Sequence, residues 1–349
     1  MKYSIIIPVY NRPDEVDELL ASLTRQTERD FEVVVVEDGS SVRCDAVVAK
    51  YEASLPVRYL EKPNSGPGQT RNYGAERAAG EWLIILDSDC VLPDGYLAAV
   101  EAELAREPAD AFGGPDRAHA DFTPTQKAIN YAMTSFFTTG GIRGGRKKLD
   151  KFFPRSFNMG IRREVYEALG GFSAMRFGED IDLSLRIYKG GYRCRLFPEA
   201  WVWHKRRTDL RKFFKQVHNS GIARINLMKR HPGSLKLVHL LPAVFTVGVA
   251  ALLCLFLAGL YLYIIGPDHM NRSFGWALME LGLLPIVLYA LMLFVDASVR
   301  NRSVVIGLKS VVASFVQLTG YGSGFLRAWW RQCVRGKASF EAFKDNFYK

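Results

Sequence analysis

Apolar and polar positions change their period several times along this chain, and each change marks an element. Residues 3–9 read as a buried strand. Val16, Leu19, Leu20 and Leu23 recur at helical spacing and mark one face of a helix. Residues 31–36, with Val33 to Val36 consecutive, predict a second strand, because buried parallel strands read as continuous apolar runs. A short strand over 57–60, a helix over about 70–79 and a strand over 82–86 complete a βαβαβ pattern. The expected fold class is therefore α/β with a mainly parallel sheet.

From about 110 to 205 the pattern is mixed. Residues 140–148, rich in glycine and basic side chains, read as a mobile basic loop. A helix begins near Asp180 and stops at Gly190 and Gly191, and a strand over 192–197 follows. Residues 209–230 form an amphipathic helix. Leu210, Phe213, Phe214, Val217, Gly221, Ile225 and Met228 share one face, and Arg211, Lys212, Lys215 and Arg224 lie toward others. That composition suits a helix in a membrane interface, with ordinary packing on the domain as the alternative.

Three apolar stretches close the chain. Residues 237–265 carry no charge, and His239 is their only basic side chain. That stretch can span a bilayer with tilt. Residues 274–295 are the second candidate, with Glu280 as the only charge. Residues 304–326 are weaker, holding Lys309, Gln317 and four glycines. Cations in the tail, Arg327, Arg331, Arg335, Lys337, Lys344 and Lys349, favour keeping it on the cytoplasmic side. The expectation is two spanning helices with a third that is re-entrant or interfacial; three spans is the close alternative. The expected domains are 1–208 (catalytic), 209–236 (basic helix and linker), 237–326 (membrane region) and 327–349 (tail).

Charge sharpens this picture. The net charge is +10, and residues 205–236 hold ten Lys or Arg against one acid, Asp209. Such a cluster suits nucleic acid or an anionic membrane. Its place before the first apolar run favours the membrane, and nucleic acid would not explain the apolar segments. The five cysteines, at 44, 90, 194, 254 and 333, form no CxxC pair, which argues against zinc and suits a reducing compartment. The N-terminal apolar run is short and ends at Pro8, unlike a signal peptide, so the catalytic half is expected in the cytoplasm.

Candidate chemistry sits at strand ends, where open α/β sheets bind ligands. Pro8 and Tyr10, Glu37 and Asp38, and Asp87, Ser88 and Asp89 all lie there. Two carboxylates at i and i+2 suit Mg²⁺ or Mn²⁺, which fills its other positions with phosphate oxygens and water. Glu37 and Asp38 can accept a base N–H or a ribose hydroxyl, or simply shape an Asp-Gly-Ser turn. Arg71 follows a glycine-bearing loop and suits a nucleotide, although Gly66 and Gly68 lack the third glycine of a dinucleotide fingerprint. Asp180 or Glu179 can act as a general base, or with Asp182 can cap a helix. His204, beside Trp201 and Trp203, is either a ligand of the metal or diphosphate or a structural histidine.

Together these residues resemble the family 2 glycosyltransferases with the GT-A (Rossmann-like) fold. The carrying segments are 4–12, 36–40, 68–74, 86–89, 157–163, 170–172 and 178–183, and the likeness covers about residues 1–225. The resemblance implies a donor pocket of Pro8, Tyr10, Asn11, Glu37, Asp38, Arg71, Asp87 and Ser88. Asp38 would contact the nucleoside and Arg71 would support the nucleotide. Asp87 and Asp89 would form the DxD motif, with Asp89 the direct ligand of Mn²⁺ or Mg²⁺ and His204 a further candidate. Asp180 would be the catalytic base and Glu179 would shape the acceptor site. The implied reaction inverts the anomeric centre of a nucleoside-diphosphate sugar, UDP by default. The acceptor would be a lipid-linked molecule or a glycan at the cytoplasmic membrane, with membrane lipid the other partner and no nucleic acid. Two departures stand out. Glu37 replaces the first of two usual aspartates, and the Gln-x-x-Arg-Trp motif of processive synthases is missing before the last apolar segments. Transfer of one or few sugars is expected over a processive polysaccharide synthase or a non-enzymatic nucleotide sensor.

Overall fold

The computed structural model describes residues 1–117, 122–139, 152–175, 177–205 and 208–338. The expected basic loop at 140–148 lies outside these residues, as does the tail beyond 338. Two compact units emerge, the first from the N-terminal part through 205, the second from 122–139 and 208–338.

The strands of the first unit are β1 (Tyr3–Val9), β2 (Phe31–Asp38), β3 (Val57–Lys62), β4 (Trp82–Leu86), β5 (Cys90–Val91), β6 (Ala111–Gly113), β7 (Asp116–Arg117), β8 (Asn158–Arg162), β9 (Cys194–Leu196) and β10 (Val202–His204). Seven of them make one sheet in the order β3-β2-β1-β4-β8-β6-β9. β1 to β4 are parallel, and β8 runs antiparallel to both β4 and β6. The chain moves outward from β1 to β3 and then returns to place β4 on the other side of β1. That reversal opens a crevice beyond the carboxyl ends of β1 and β4, where such sheets take ligands.

Side-chain alternation divides β1 between two cores. Tyr3, Ile5 and Ile7 pack with Leu19, Leu20 and Tyr96, whereas Ile6 joins Leu83, Ile85, Met159 and Leu183. The helix Pro67–Ala75 lies close over the second face because Gly74 has no side chain. A Cβ there would stand 2.7 Å from the Ile6 methyl. A second sheet, β5-β10-β7, is too short to be legible in the sequence. β10 pairs antiparallel with β5, setting His204 opposite Cys90, and parallel with β7.

Among the described residues of the second unit, three helices are long and apolar enough to cross a membrane: Leu241–Ile265, His269–Asn301 and Val304–Val334. The first two form an antiparallel hairpin closed by small residues, with Gly259 against Gly275 and Gly282 against Leu252. The third has no break over Val304–Trp329, which does not suit a re-entrant turn. The amphipathic helix Leu210–Arg230 is one continuous element, and its apolar stripe is covered by that third helix. Phe213 and Val217 cluster with Ala313, but Phe214 remains exposed. Residues 122–139, expected within the catalytic stretch, belong to this unit: Ala128, Ile129 and Ala132 join the same cluster, and Tyr131 donates to Asp296 at 2.7 Å.

Gly221 and Gly324 bring the two helices into backbone contact, and Gly320 makes room for Val217 and Phe214. A Cβ on Gly324 would lie 2.0 Å from the His218 carbonyl oxygen, and backbone cannot yield as a flexible side chain can. Gly248 faces open space. Gly324→Ala should therefore lower the thermal midpoint of the detergent-solubilised protein, whereas Gly248→Ala should leave it unchanged or slightly raised. Equal midpoints for the two variants would mean that this helix contact is not tight.

Candidate active site

The loops after β1 and β2 are stitched together first. Asn11, at φ 54°, donates its N–H to Ser40 Oγ at 2.7 Å, and its Oδ1 accepts from the Val42 N–H at 2.8 Å. Glu37 is wholly buried and accepts from the Ser40 hydroxyl, the Cys44 N–H (2.9 Å) and the Tyr59 hydroxyl (3.3 Å). Its visible work is to fold the loop that follows β2. Asp38 accepts from Lys62 Nζ at 2.6 Å and from the N–H groups of Ser65 and Gly66, each at 2.9 Å. Burial opposes its ionisation, but the bonds from Lys62, Ser65 and Thr70 outweigh that and hold its carboxyl below the usual range. Asp38 thus anchors the start of the Pro67–Ala75 helix. Lys62 had no motif to announce it. Pro8 and Tyr10 lie half-buried at the β1 end of the crevice.

Arg71 projects from that helix and joins two clusters that lie far apart in sequence. Its Nη2 donates to Asp87 Oδ1 at 2.8 Å and its Nη1 to Glu179 Oε1 at 2.9 Å. The guanidinium lies 5.2 Å from the Phe172 ring, and the residue is 3% exposed. Gly170 and Gly171 turn the chain at positive φ to deliver Phe172, whose N–H and C=O are both held by the Asn72 side chain. Buried in this way, Arg71 acts as a brace between the DxD segment and the helix Glu179–Lys189.

That helix starts from Gly178, whose φ of 79° suits glycine. Asp180 Oδ2 forms an ion pair with Arg155 Nε at 2.7 Å, and its Oδ1 accepts from the Ile181 N–H at 2.8 Å. Burial and the neighbouring Asp180 charge push the Glu179 carboxyl up, against the pull of Arg71. Asp182 is fully buried and pairs with Arg186 Nε at 2.9 Å; Arg186 also holds the carbonyls of Leu169 and Gly171. Its role is structural, through that ion pair. Arg155 was not foreseen, because it lies in no recognisable motif and meets Asp180 only through the fold.

Asp87 is half-exposed and Ser88 half-buried beyond β4. Asp89 Oδ1 lies 3.1 Å from His204 Nε2, so the small sheet brings the expected histidine to the DxD segment. The other ring nitrogen, Nδ1, lies 3.8 Å from Asp116 on β7, and the ring stacks on Phe157. The donor set fits a small divalent cation. Neighbouring ligand atoms around an octahedral ion with bonds of about 2.1 Å stand about 3 Å apart. Imidazole with carboxylate suits Mn²⁺. Cys90 is close enough to complete a cluster with Asp89 and His204. Its thiol is buried, and its S–H donates to the Phe157 carbonyl at 3.4 Å.

Residues 4–170 match the family model described as Glycosyl transferase family 2. A Haemophilus influenzae protein named as an uncharacterized glycosyltransferase is 45% identical over 93 residues, covering 26% of this chain and 31% of that protein. The poly(ribitol-phosphate) beta-N-acetylglucosaminyltransferase TarS of Staphylococcus aureus is 42% identical over 93 residues, covering 26% of this chain and 16% of TarS. The probable glycosyltransferase YdaM of Bacillus subtilis is 28% identical over 228 residues, 62% of this chain and 53% of YdaM. The chain thus spans from 16% to 53% of the length of these relatives. Among solved structures, the mannosyltransferase PcManGT from Pyrobaculum calidifontis, in complex with GDP-Man and Mn²⁺, is similar at a TM-score of 0.57 and 18% identity. That likeness covers 95% of this chain and 88% of the other, and it is a likeness of fold. The crevice of strand-end carboxylates is accordingly that of a GT-A fold, and the chain carries a family 2 glycosyltransferase domain over residues 4–170.

Proposed function

We propose that the chain is an inverting glycosyltransferase at the cytoplasmic face of a membrane. It moves a sugar from a nucleoside-diphosphate sugar, by default UDP-linked, to a hydroxyl of a lipid-linked or glycan acceptor. The observation that carries this reading is the Asp87–Arg71–Glu179 bridge, which sets the DxD segment beside Asp180.

Asp89, Asp87 and His204 would hold Mn²⁺ or Mg²⁺, which supplies neutralisation of the charge gathering on a departing diphosphate. The Mn²⁺ recorded with PcManGT is in keeping with this. Asp38 and Asn11 order the loops that face the nucleoside. Asp180 takes the proton of the acceptor hydroxyl as that oxygen bonds to the anomeric carbon, whose bond to the diphosphate oxygen breaks on the opposite side. Oδ1 already accepts one hydrogen bond and Oδ2 faces Arg155, and both oxygens keep a lone pair for that proton. Arg155, paired with Asp180 Oδ2, orients the carboxylate. Glu179, braced by Arg71, shapes the acceptor side.

The test is a donor screen on detergent-solubilised protein, reading nucleoside-diphosphate release with Mn²⁺ or Mg²⁺, with and without membrane lipid extract. Metal-dependent release that rises with lipid is expected. Failure of every donor, with nucleotide still bound, would favour a sensor. Asp89→Ala should weaken Mn²⁺-dependent nucleotide binding by at least tenfold, measured by calorimetry, and His204→Ala should weaken it less. Unchanged affinity in Asp89→Ala would remove that residue from the metal site.

A further inference from the structure

The helix Val304–Trp329 touches the Leu241–Ile265/His269–Asn301 hairpin at one end only. Gly307 meets Ser298 and the Phe294 carbonyl, Phe315 packs on Phe245 and Tyr289, and Gly322 meets Pro242. From 307 to 322 the helix advances about 22 Å. Over that length its contacts stay at 289–298 on one hairpin arm and 242–246 on the other. A third span would climb beside the hairpin toward residues 265 and 269. Instead Leu257, Tyr261, Phe274, Leu281 and Leu284 are exposed there. The helix therefore runs across the base of the hairpin.

From Ala313 onward the same helix runs alongside Leu210–Arg230 in the same direction. Val217 meets Gly320, His218 Nδ1 lies 3.1 Å from Ser323 Oγ, Gly221 abuts Tyr321 and Phe325, and Gln332 donates to Asn226 at 2.7 Å. Whatever environment one helix occupies, the other shares. Exposed Arg211, Lys212, Lys215, Lys229 and Arg230 on the first helix would resist the hydrocarbon core if the pair crossed it.

We infer that Leu210–Arg230 and Val304–Trp329 form one platform lying in the headgroup layer of an anionic bilayer, so that only two of the three apolar helices cross. The cations meet lipid phosphates. Exposed Val305, Leu308 and Val312 dip into the acyl boundary, and Trp329 and Trp330 sit at headgroup level. The chain beyond 330 then returns to the side that holds residues 1–205. This rests on the membrane reading proposed above.

Cys333, exposed at the end of the platform, is a native reporter. We would label the full-length protein with a membrane-impermeant maleimide in right-side-out and inverted vesicles, and Cys333→Ser would identify its signal. Glu52→Cys marks the catalytic side and Pro267→Cys the hairpin tip; Lys337→Cys replaces Cys333 if that thiol reacts slowly. The expected result is that Cys333 labels with Glu52→Cys from one face and Pro267→Cys labels from the other. If Cys333 labels with Pro267→Cys, three helices cross and the platform is wrong while the membrane reading stands. If all positions label from one face, the hairpin does not cross and both readings fall.

Discussion

Asp180→Asn should reduce sugar transfer by about 10²–10⁴-fold, the contribution typical of a positioned general base. The substitution keeps the shape of the side chain and its acceptor toward the Ile181 N–H, but removes the charge that pairs with Arg155. Donor binding should change little, because the residues proposed for the metal and nucleotide sit on other segments. Turnover measured under saturating donor, alongside nucleotide affinity, separates the two. Near-normal turnover would refute the base assignment. Lost affinity with unchanged turnover would move Asp180 to the donor site.

Arg71→Ala should damage both stability and function. The guanidinium is 3% exposed and is the counter-ion of Asp87 and Glu179, so its removal leaves two carboxylates without their cation. Breaking a buried pair by deleting one partner costs about 3–5 kcal/mol. Glu179, whose carboxyl already tends to hold its proton, can neutralise itself and bring the cost toward the lower end. Asp87 loses the cation that holds it, and metal-dependent donor binding should fall with it. Arg71→Lys should recover part of the stability and less of the binding, because one ammonium cannot reproduce two separated guanidinium contacts. Thermal unfolding and donor affinity measured on both variants provide the check. A thermal midpoint within a degree of the parent for Arg71→Ala would show that the bridge carries no load.

Much of the first unit was legible because parallel strands buried on both faces leave continuous apolar runs. Residues 3–9 and 82–86 match β1 and β4 at both ends. The run at 31–36 becomes β2 through Asp38, which takes Glu37 and Asp38 into the sheet edge. β9 falls inside the stretch expected at 192–197, but the antiparallel β8 and the other two- and three-residue strands were not legible, since elements so short carry no period. His204 shows the consequence. Its neighbours in sequence are aromatic and uninformative, and only the pairing of β10 with β5 brings it to Asp89.

The candidate site divides in the same way. The carboxylates were readable because strand ends and helix starts announce themselves locally. Their partners, Lys62 for Asp38, Arg155 for Asp180 and Asp116 for His204, were not, because an ion pair across the fold leaves no local signature. By itself the sequence determined the fold class, the family 2 domain and three stretches apolar enough to cross a membrane, all properties of local composition and period. Tertiary structure alone decided that Arg71 faces inward as a brace and that the third apolar helix lies across the hairpin, because orientation depends on which surfaces small residues let approach.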